Sequence, residues 1–200
     1  MNIRVAFVAL TLLAFGAGSI SCGPKVGDAD EVAVLETSYG RIVIEFLPRV
    51  APRHVANFKE LAREGLYDGT KFHRIMSDKN RRVVIQGGDP NSINGDPATW
   101  GPGQPGQKKV AAEFSSVRHQ RGIVSAARKR EDPNSATSQF FICLTSEPSF
   151  DGQYSVFGRV IEGMNVVDAI GNAPVVPKTE RPIDPVVLEK VYLVKRGELK

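Results

Sequence analysis

Short runs of β-branched and aromatic residues recur along the chain after residue 30, and glycine, proline, asparagine or aspartate residues separate most of them. Runs of this composition are typical of β-strands, and such breaks are typical of turns. The predicted strands cover residues 31–37, 41–46, 72–75, 83–89, 122–127, 139–144, 156–162 and 186–194. Strands and helices do not alternate, so a doubly wound parallel sheet is excluded. A closed antiparallel barrel, which leaves no sheet edge exposed, is favoured instead.

Two segments have helical periodicity. The first, residues 51–64, carries apolar residues at spacings of three and four between Val55 and Ala62, and a proline suits its first turn. The second is shorter and covers residues 164–170. His54 lies off the apolar stripe of the first helix, so we expect it at the protein surface.

The N-terminal residues differ from the rest of the chain. Residues 1–21 predict a signal peptide, because Arg4 precedes a long apolar run that ends in small residues and contains no acidic residue. The sequence ending at Cys22 resembles the signal of bacterial lipoproteins, whose cysteine becomes acylated. We therefore expect an exported protein of the cell envelope or periplasm, lipid-anchored at Cys22; cleavage without acylation and a retained anchor are the alternatives. Residues 22–29 predict a tether, and residues 30–200 predict one domain.

Several classes of function are disfavoured by composition and spacing. The net charge of +4 is mild, and the short basic clusters lack interleaved aromatic residues, so we expect no nucleic-acid binding. The three histidines have no metal-ligand spacing, so no metal site is predicted. Residues 101–106 read GPGQPG, but prolines remove amides and no helix follows, so this segment is not a dinucleotide site. No serine has the setting of a hydrolase nucleophile. Cys143, in an apolar run, predicts a buried free thiol.

The third and fourth predicted strands carry the strongest indication of a functional site. Each has one long hydrogen-bonding side chain, Arg74 in the first of them and Gln86 in the second. Because alternate residues of a strand point to opposite faces, we expect Phe72 and Arg74 to share one face. His73 then faces the interior, where we expect a hydrogen-bonded core residue. A guanidinium beside an aromatic ring places fixed, charged donors over an apolar floor.

Three blocks of sequence resemble the cyclophilin family of peptidyl-prolyl cis-trans isomerases. The blocks are Phe72-His73-Arg74-Ile75 with Gln86-Gly87-Gly88-Asp89, the segment DPNSATSQFFI at residues 132–142, and the segment DGQYSVFG at residues 151–158. The similarity covers residues 30–200. It implies a mainly β fold, namely a closed eight-stranded antiparallel β-barrel capped by two helices, and an enzyme that uses no cofactor.

The resemblance also implies roles for individual residues. Arg74 matches the catalytic arginine, and Gln86 matches the glutamine that orients it. The residues that match substrate-binding positions are Phe141, Val83, Val84, Ala127, Arg128, Phe150 and Tyr154. Val83 and Val84 stand where the family usually has Phe-Met, so we expect a pocket that has lost an aromatic wall. The implied partners are proline-containing segments of exported proteins, bound by a monomer.

Catalysis of X-Pro rotation suits an arginine because the reaction needs no covalent step. Rotation about a peptide bond has a barrier of about 18 to 20 kcal/mol, whereas the cis and trans forms before proline differ by only about 0.5 to 1 kcal/mol. A guanidinium can donate a hydrogen bond to the imide nitrogen as that atom becomes pyramidal. The alternatives are a chaperone module that binds proline segments with little turnover and a surface adhesin on the same barrel.

Overall fold

The computed structural model of the chain describes residues 30–79 and 81–199. The predicted signal peptide, the tether and the acylation of Cys22 lie outside the described residues, so all three stay predictions. No helix within the described part is long and apolar enough to cross a membrane.

The described residues form eight strands, two α-helices and four short 3-10 helices. The strands are β1 (Glu31–Thr37), β2 (Gly40–Phe46), β3 (Arg74–Asp78), β4 (Arg81–Gly87), β5 (Ile123–Ala126), β6 (Phe140–Cys143), β7 (Val156–Glu162) and β8 (Leu188–Lys195). The helices are α1 (Pro52–Arg63) and α2 (Met164–Gly171). The prediction of a mainly β, eight-stranded antiparallel fold with two helices is confirmed.

All eight strands belong to one curled antiparallel sheet with the order β3-β4-β6-β5-β7-β2-β1-β8. The outermost strands, β3 and β8, share no continuous ladder. The chain segments at this junction, residues 69–72 and 186–188, are joined by a single bridge between Lys71 and Val187 and by three backbone hydrogen bonds. These run from Gly69 N to Leu188 O and from Leu188 N to Thr70 O, both 2.7 Å long, and from Phe72 N to Val186 O, 2.9 Å long. The sheet is therefore a half-barrel, and the expectation of full closure is corrected: the chain leaves the strand conformation before β3 and β8 can pair.

The concave side of the sheet holds the main hydrophobic core. Helix α1 places Phe58 against Phe140 of β6 and Phe157 of β7, with both pairs of ring centroids 5.5 Å apart. Helix α2 contributes Val167 and Ile170, which are fully buried. A separate small cluster formed by Val84, Phe141 and Cys143 lies apart from this core. Since neighbouring residues of a strand point to opposite faces, this second cluster belongs to the convex side of β4 and β6.

His54 is buried, so the expectation that it lies at the surface is wrong. Glu113, from the long segment between β4 and β5, accepts a hydrogen bond from the His54 backbone N and contacts His54 Nδ1 at 2.6 Å. That segment covers the polar side of α1, which helical periodicity alone does not reveal. Burial lowers the pKa of His54, and the hydrogen bond to Glu113 opposes that shift.

Candidate active site

Arg74 and Gln86 face each other across the β3–β4 ladder, where they are register partners. Arg74 Nη1 donates to Gln86 Oε1 at 3.2 Å, and Gln86 Nε2 donates to Gln139 Oε1 at 2.9 Å. Gln139 Nε2 in turn donates to the carbonyl of Gly101 at 2.8 Å. Because a guanidinium can only donate, this chain of bonds fixes the direction of both amides. The predicted pairing of Arg74 with Gln86 therefore extends to a four-residue relay.

Glu180 holds the other side of the Arg74 guanidinium. Its Oε2 accepts a hydrogen bond from Arg74 Nε at 2.6 Å, and its backbone carbonyl accepts one from Ile75 N at 2.7 Å. Both side chains of this ion pair are partly exposed. Glu180 comes from the loop between α2 and β8, more than a hundred residues along the chain, so no local sequence pattern signals it.

An aromatic pocket lies beside Gln86, because Phe141 of β6 is the register partner of Gln86. The Phe141 ring centroid lies 5.7 Å from that of Phe150 and 5.2 Å from that of Tyr154. Phe150 and Tyr154 also contact each other edge to face, at 5.0 Å. Offset and edge-to-face contacts of this kind are favourable and hold each ring in a defined orientation. The result is an apolar wall of three mutually supporting rings.

The relay and the aromatic pocket open into one groove with a volume of about 680 Å³. The residues predicted for the site that line this groove are Arg74, Gln86, Val84, Phe141, Ala127, Arg128, Phe150 and Tyr154. Another part of the groove's rim comes from the loop around Trp100, which includes the GPGQPG segment. Sequence reasoning did not assign Gln139, Thr137 or Glu180 to the groove, although all three line it.

Val83 does not line the groove, so its assignment to the pocket wall is corrected. It is fully buried and, by the alternation of β4, lies on the same face as the core residue Ile85, whereas Val84 lies on the opposite face. Phe72 is also misassigned: β3 begins at Arg74, so strand alternation does not extend back to Phe72. The Phe72 ring packs in the main core, 6.1 Å from Phe140. Phe141 therefore supplies the aromatic floor.

His73 is buried as expected, but its hydrogen bonding differs from the expectation. Neither ring nitrogen has a hydrogen-bond partner among the described residues, and the side chain reaches the groove wall. Burial lowers the pKa of His73, and the charge of Asp89 opposes that shift. The imidazole therefore contributes bulk to the wall.

A buried polar array supports the pocket floor from behind. The His119 ring stacks on Phe141 with centroids 6.1 Å apart, and its Nδ1 and Nε2 lie 3.0 Å from Asp151 Oδ1 and from Ser125 Oγ. Burial lowers the pKa of His119, opposed by the hydrogen bond and charge of Asp151. The order Ser, His, Asp resembles a hydrolase triad, but Ser125 is 0% and His119 1% exposed. No substrate can reach them, so the array positions Phe141.

The described residues contain no group of histidine, cysteine or acidic side chains arranged to hold a metal ion. Cys143 is a buried free thiol. Burial, together with the charges of Glu147 and Asp151, raises its pKa to about 12. A thiol held in this way is protonated at neutral pH, so Cys143 serves as an apolar residue behind Phe141.

The sequence pattern of the family described as cyclophilin type peptidyl-prolyl cis-trans isomerase matches residues 32–193. The chain belongs to the cyclophilin family. This cyclophilin is 37% identical over 172 residues to a probable peptidyl-prolyl cis-trans isomerase of Brucella abortus, with 84% of this chain and 85% of that protein covered. It is 38% identical over 157 residues to peptidyl-prolyl cis-trans isomerase ppi1 of Schizosaccharomyces pombe, covering 78% of this chain and 94% of that protein.

Solved cyclophilin structures share the fold. The crystal structure of a Cryptosporidium parvum cyclophilin in the presence of the dipeptide Ala-Pro has a TM-score of 0.69 and 29% identity, and the match covers 80% of this chain and 96% of that chain. Together with the family match, this similarity identifies the protein as a cyclophilin-type peptidyl-prolyl cis-trans isomerase. The groove that contains Arg74, Gln86 and Phe141 is the candidate active site of this isomerase.

Proposed function

We propose that this cyclophilin accelerates X-Pro rotation by a hydrogen bond from the Arg74 guanidinium to the imide nitrogen. The proposal rests on the hydrogen bonds that the three guanidinium nitrogens make. Nε donates to Glu180 and Nη1 donates to Gln86, while Nη2 has no hydrogen-bond partner among the described residues. A rigidly held guanidinium whose Nη2 group is left without a partner can donate to a substrate atom without reorganising first.

The proline ring lies against Phe141 in this proposal. The Phe141 side chain is surrounded on the convex side of the sheet by Phe150, Tyr154 and Val84. Immobilising the proline ring there, while the preceding carbonyl turns, lets the X-Pro bond twist. Only the twisted bond has an imide nitrogen that can accept a hydrogen bond, so the contact with Arg74 is stronger in the transition state than in the ground state.

The proposed clients are proline-containing segments of exported proteins, met by this cyclophilin in the cell envelope or periplasm. The residues that support this location are the apolar segment after Arg4 and the Cys22 that follows it. Mass spectrometry of the mature N-terminus tests whether the chain is lipid-anchored at Cys22. A diacyl or triacyl group on Cys22 supports lipid anchoring, whereas a mature chain that begins elsewhere and carries no lipid refutes it.

The catalytic proposal is tested by the cis-to-trans rate of a short X-Pro peptide with the full chain and with Arg74→Ala. Removal of one preorganised donor costs about 10²- to 10³-fold in turnover, so the variant should approach the uncatalysed rate. The matched control is Arg159→Ala, which removes an exposed arginine that pairs with Glu45 away from the groove. An Arg74→Ala variant that is folded and fully active overturns the role of Arg74.

The alternative is a chaperone module that binds proline segments with little turnover. The feature that favours it is Val84, a small residue at the groove wall where the family usually has a larger one. A binding titration with the same X-Pro peptide, made beside the rate measurement, separates the two functions. Binding of the peptide by the wild-type chain without acceleration of its isomerisation supports the binding module and refutes the isomerase.

A further inference from the structure

Basic side chains outnumber acidic ones along the groove. The lining contains five basic residues and one acidic residue, Glu180. The basic residues are Arg74, Lys109, Arg128, Lys129 and Arg181. Glu180 pairs with Arg74 and therefore offsets only that charge. Lys109 has a long contact of 3.4 Å with Asp132, and both of these side chains are exposed, so this ion pair is weak.

Arg128, Lys129 and Arg181 have no carboxylate partner within residues 30–79 and 81–199. The hydrogen bonds that Arg128 does make go to neutral backbone carbonyls, including Gln153 O at 2.9 Å and Arg130 O at 2.7 Å. These carbonyls hold the guanidinium in place without neutralising its charge. A groove wall that keeps its positive charge favours ligands of negative charge.

The Arg128 guanidinium lies next to the proline pocket. Its Cζ is 4.9 Å from the centroid of the Tyr154 ring, and that ring contacts Phe141 at 5.2 Å. The backbone of the following residue is fixed as well, because Lys129 N donates to Ser135 Oγ at 2.8 Å. The Arg128 charge therefore has a defined place beside the residues that flank a bound proline, and the Lys129 side chain extends from a fixed backbone next to it.

We infer that the groove selects proline-containing segments that carry aspartate or glutamate immediately before the X-Pro pair. This inference rests on the proposed function, since it names the substrate class of the same groove. A carboxylate in an extended peptide beside Arg128 and Lys129 gains charge-assisted contacts, and a lysine at the same position is repelled. The same field also accelerates the encounter with acidic segments.

The test compares three peptides, Ala-Xaa-Ala-Pro-Phe with glutamate, glutamine or lysine at Xaa, by exchange NMR with the purified full chain. The expected order of kcat/KM is glutamate, then glutamine, then lysine, with a ratio between the first and last of about 3- to 10-fold. The ratio should shrink in roughly 0.5 M salt, because added ions screen exposed charges.

Two variants test whether Lys129 and Arg181 cause the preference for the glutamate peptide. Lys129→Glu should abolish or reverse the preference for the glutamate peptide, and Arg181→Gln should reduce it. The matched control is Lys190→Glu, which makes the same charge change at an exposed position on β8 outside the groove and should leave the ratio unchanged. Equal acceleration of all three peptides overturns the inference and leaves the isomerase proposal intact. If the chain accelerates the isomerisation of none of the three peptides, the isomerase proposal itself is overturned.

Discussion

Arg74 Nε donates a hydrogen bond to Glu180 Oε2 at 2.6 Å, and the same loop residue accepts a backbone hydrogen bond from Ile75 of β3 at 2.7 Å. The loop between α2 and β8 is thus attached to both the side chain of Arg74 and the strand that carries it. Charge-assisted hydrogen bonds are roughly twice as strong as neutral ones, so this contact limits rotation of the guanidinium. Glu180 is therefore a positioning residue for Arg74.

Glu180→Gln should lower kcat for a neutral X-Pro peptide by about 3- to 10-fold, because the substituted amide can still accept from Nε but loses the charge attraction. KM should change little, because the ground-state contacts with the proline pocket remain. Peptide isomerisation followed over a range of substrate concentrations separates the two parameters. The matched control is Glu162→Gln, which removes a carboxylate that pairs with Arg41 at 3.3 Å away from the groove. Equal kinetics for both variants would refute the positioning role.

Phe140 and Phe141 are neighbours on β6 with opposite surroundings, since Phe140 packs in the main core and Phe141 lines the groove. Phe141→Leu should weaken binding of a proline peptide by roughly 5- to 10-fold, because it removes aromatic contact area. Phe140→Leu should leave peptide binding unchanged and lower the free energy of unfolding by about 1 to 2 kcal/mol. Peptide titration and urea unfolding of both variants check this assignment; loss of peptide binding in Phe140→Leu contradicts it.

Gly88 adopts a backbone φ of +81° directly after β4, a conformation that residues with a Cβ rarely adopt. A Cβ atom there would lie 2.9 Å from Ser138 O and 3.1 Å from the Phe140 ring. Gly88→Ala should therefore reduce the free energy of unfolding by about 1 to 3 kcal/mol. Gly197→Ala is the control, since no atom lies within 4 Å of an added Cβ. Similar urea midpoints for the two variants would contradict this account.

The sequence predicted the strands and helices well because their patterns are local. The strand at Val156–Glu162 has the predicted bounds, and α1 is shorter than predicted by one residue at each end. The pairing of Arg74 with Gln86 was also predictable, since both residues lie on adjacent strands of one hairpin. Local alternation failed at Phe72, because the residue lies outside the strand that the pattern assigned to it.

The unpredicted parts of the site depend on contacts between distant segments. Glu180 reaches Arg74 from a loop that follows α2, and Gln139 reaches Gln86 from the position just before β6. The burial of His54 likewise depends on Glu113, which lies in a long irregular segment. Periodicity describes which face of an element is apolar, but it does not specify which remote loop covers the opposite face. The catalytic roles proposed for Arg74 and Gln86 come from the resemblance between whole blocks, because spacing alone does not imply them.

Acidification should destabilise the folded chain, because His54, His73 and His119 are all buried and burial lowers the pKa of each from an ordinary value of 6.5. Below pH 6.5 the unfolded chain binds protons that the folded chain does not. The free energy of unfolding is therefore at its full value above pH 6.5 and decreases as the pH falls toward the lowered pKa values. Glu113 and Asp151 oppose part of this effect through their contacts with His54 and His119.

Urea unfolding at pH values of roughly 8, 6.5 and 5.5 measures this dependence around the ordinary histidine pKa. The free energy of unfolding should be highest at pH 8, lower at pH 6.5, where about half of the unfolded imidazoles are protonated, and lowest at pH 5.5. In His119→Gln the loss between the second and third should be smaller, because one of the three buried imidazoles is gone, although the variant is less stable at every pH. A free energy of unfolding that stays constant or rises down to pH 5.5 would show that the buried histidines accept protons without cost in the folded chain.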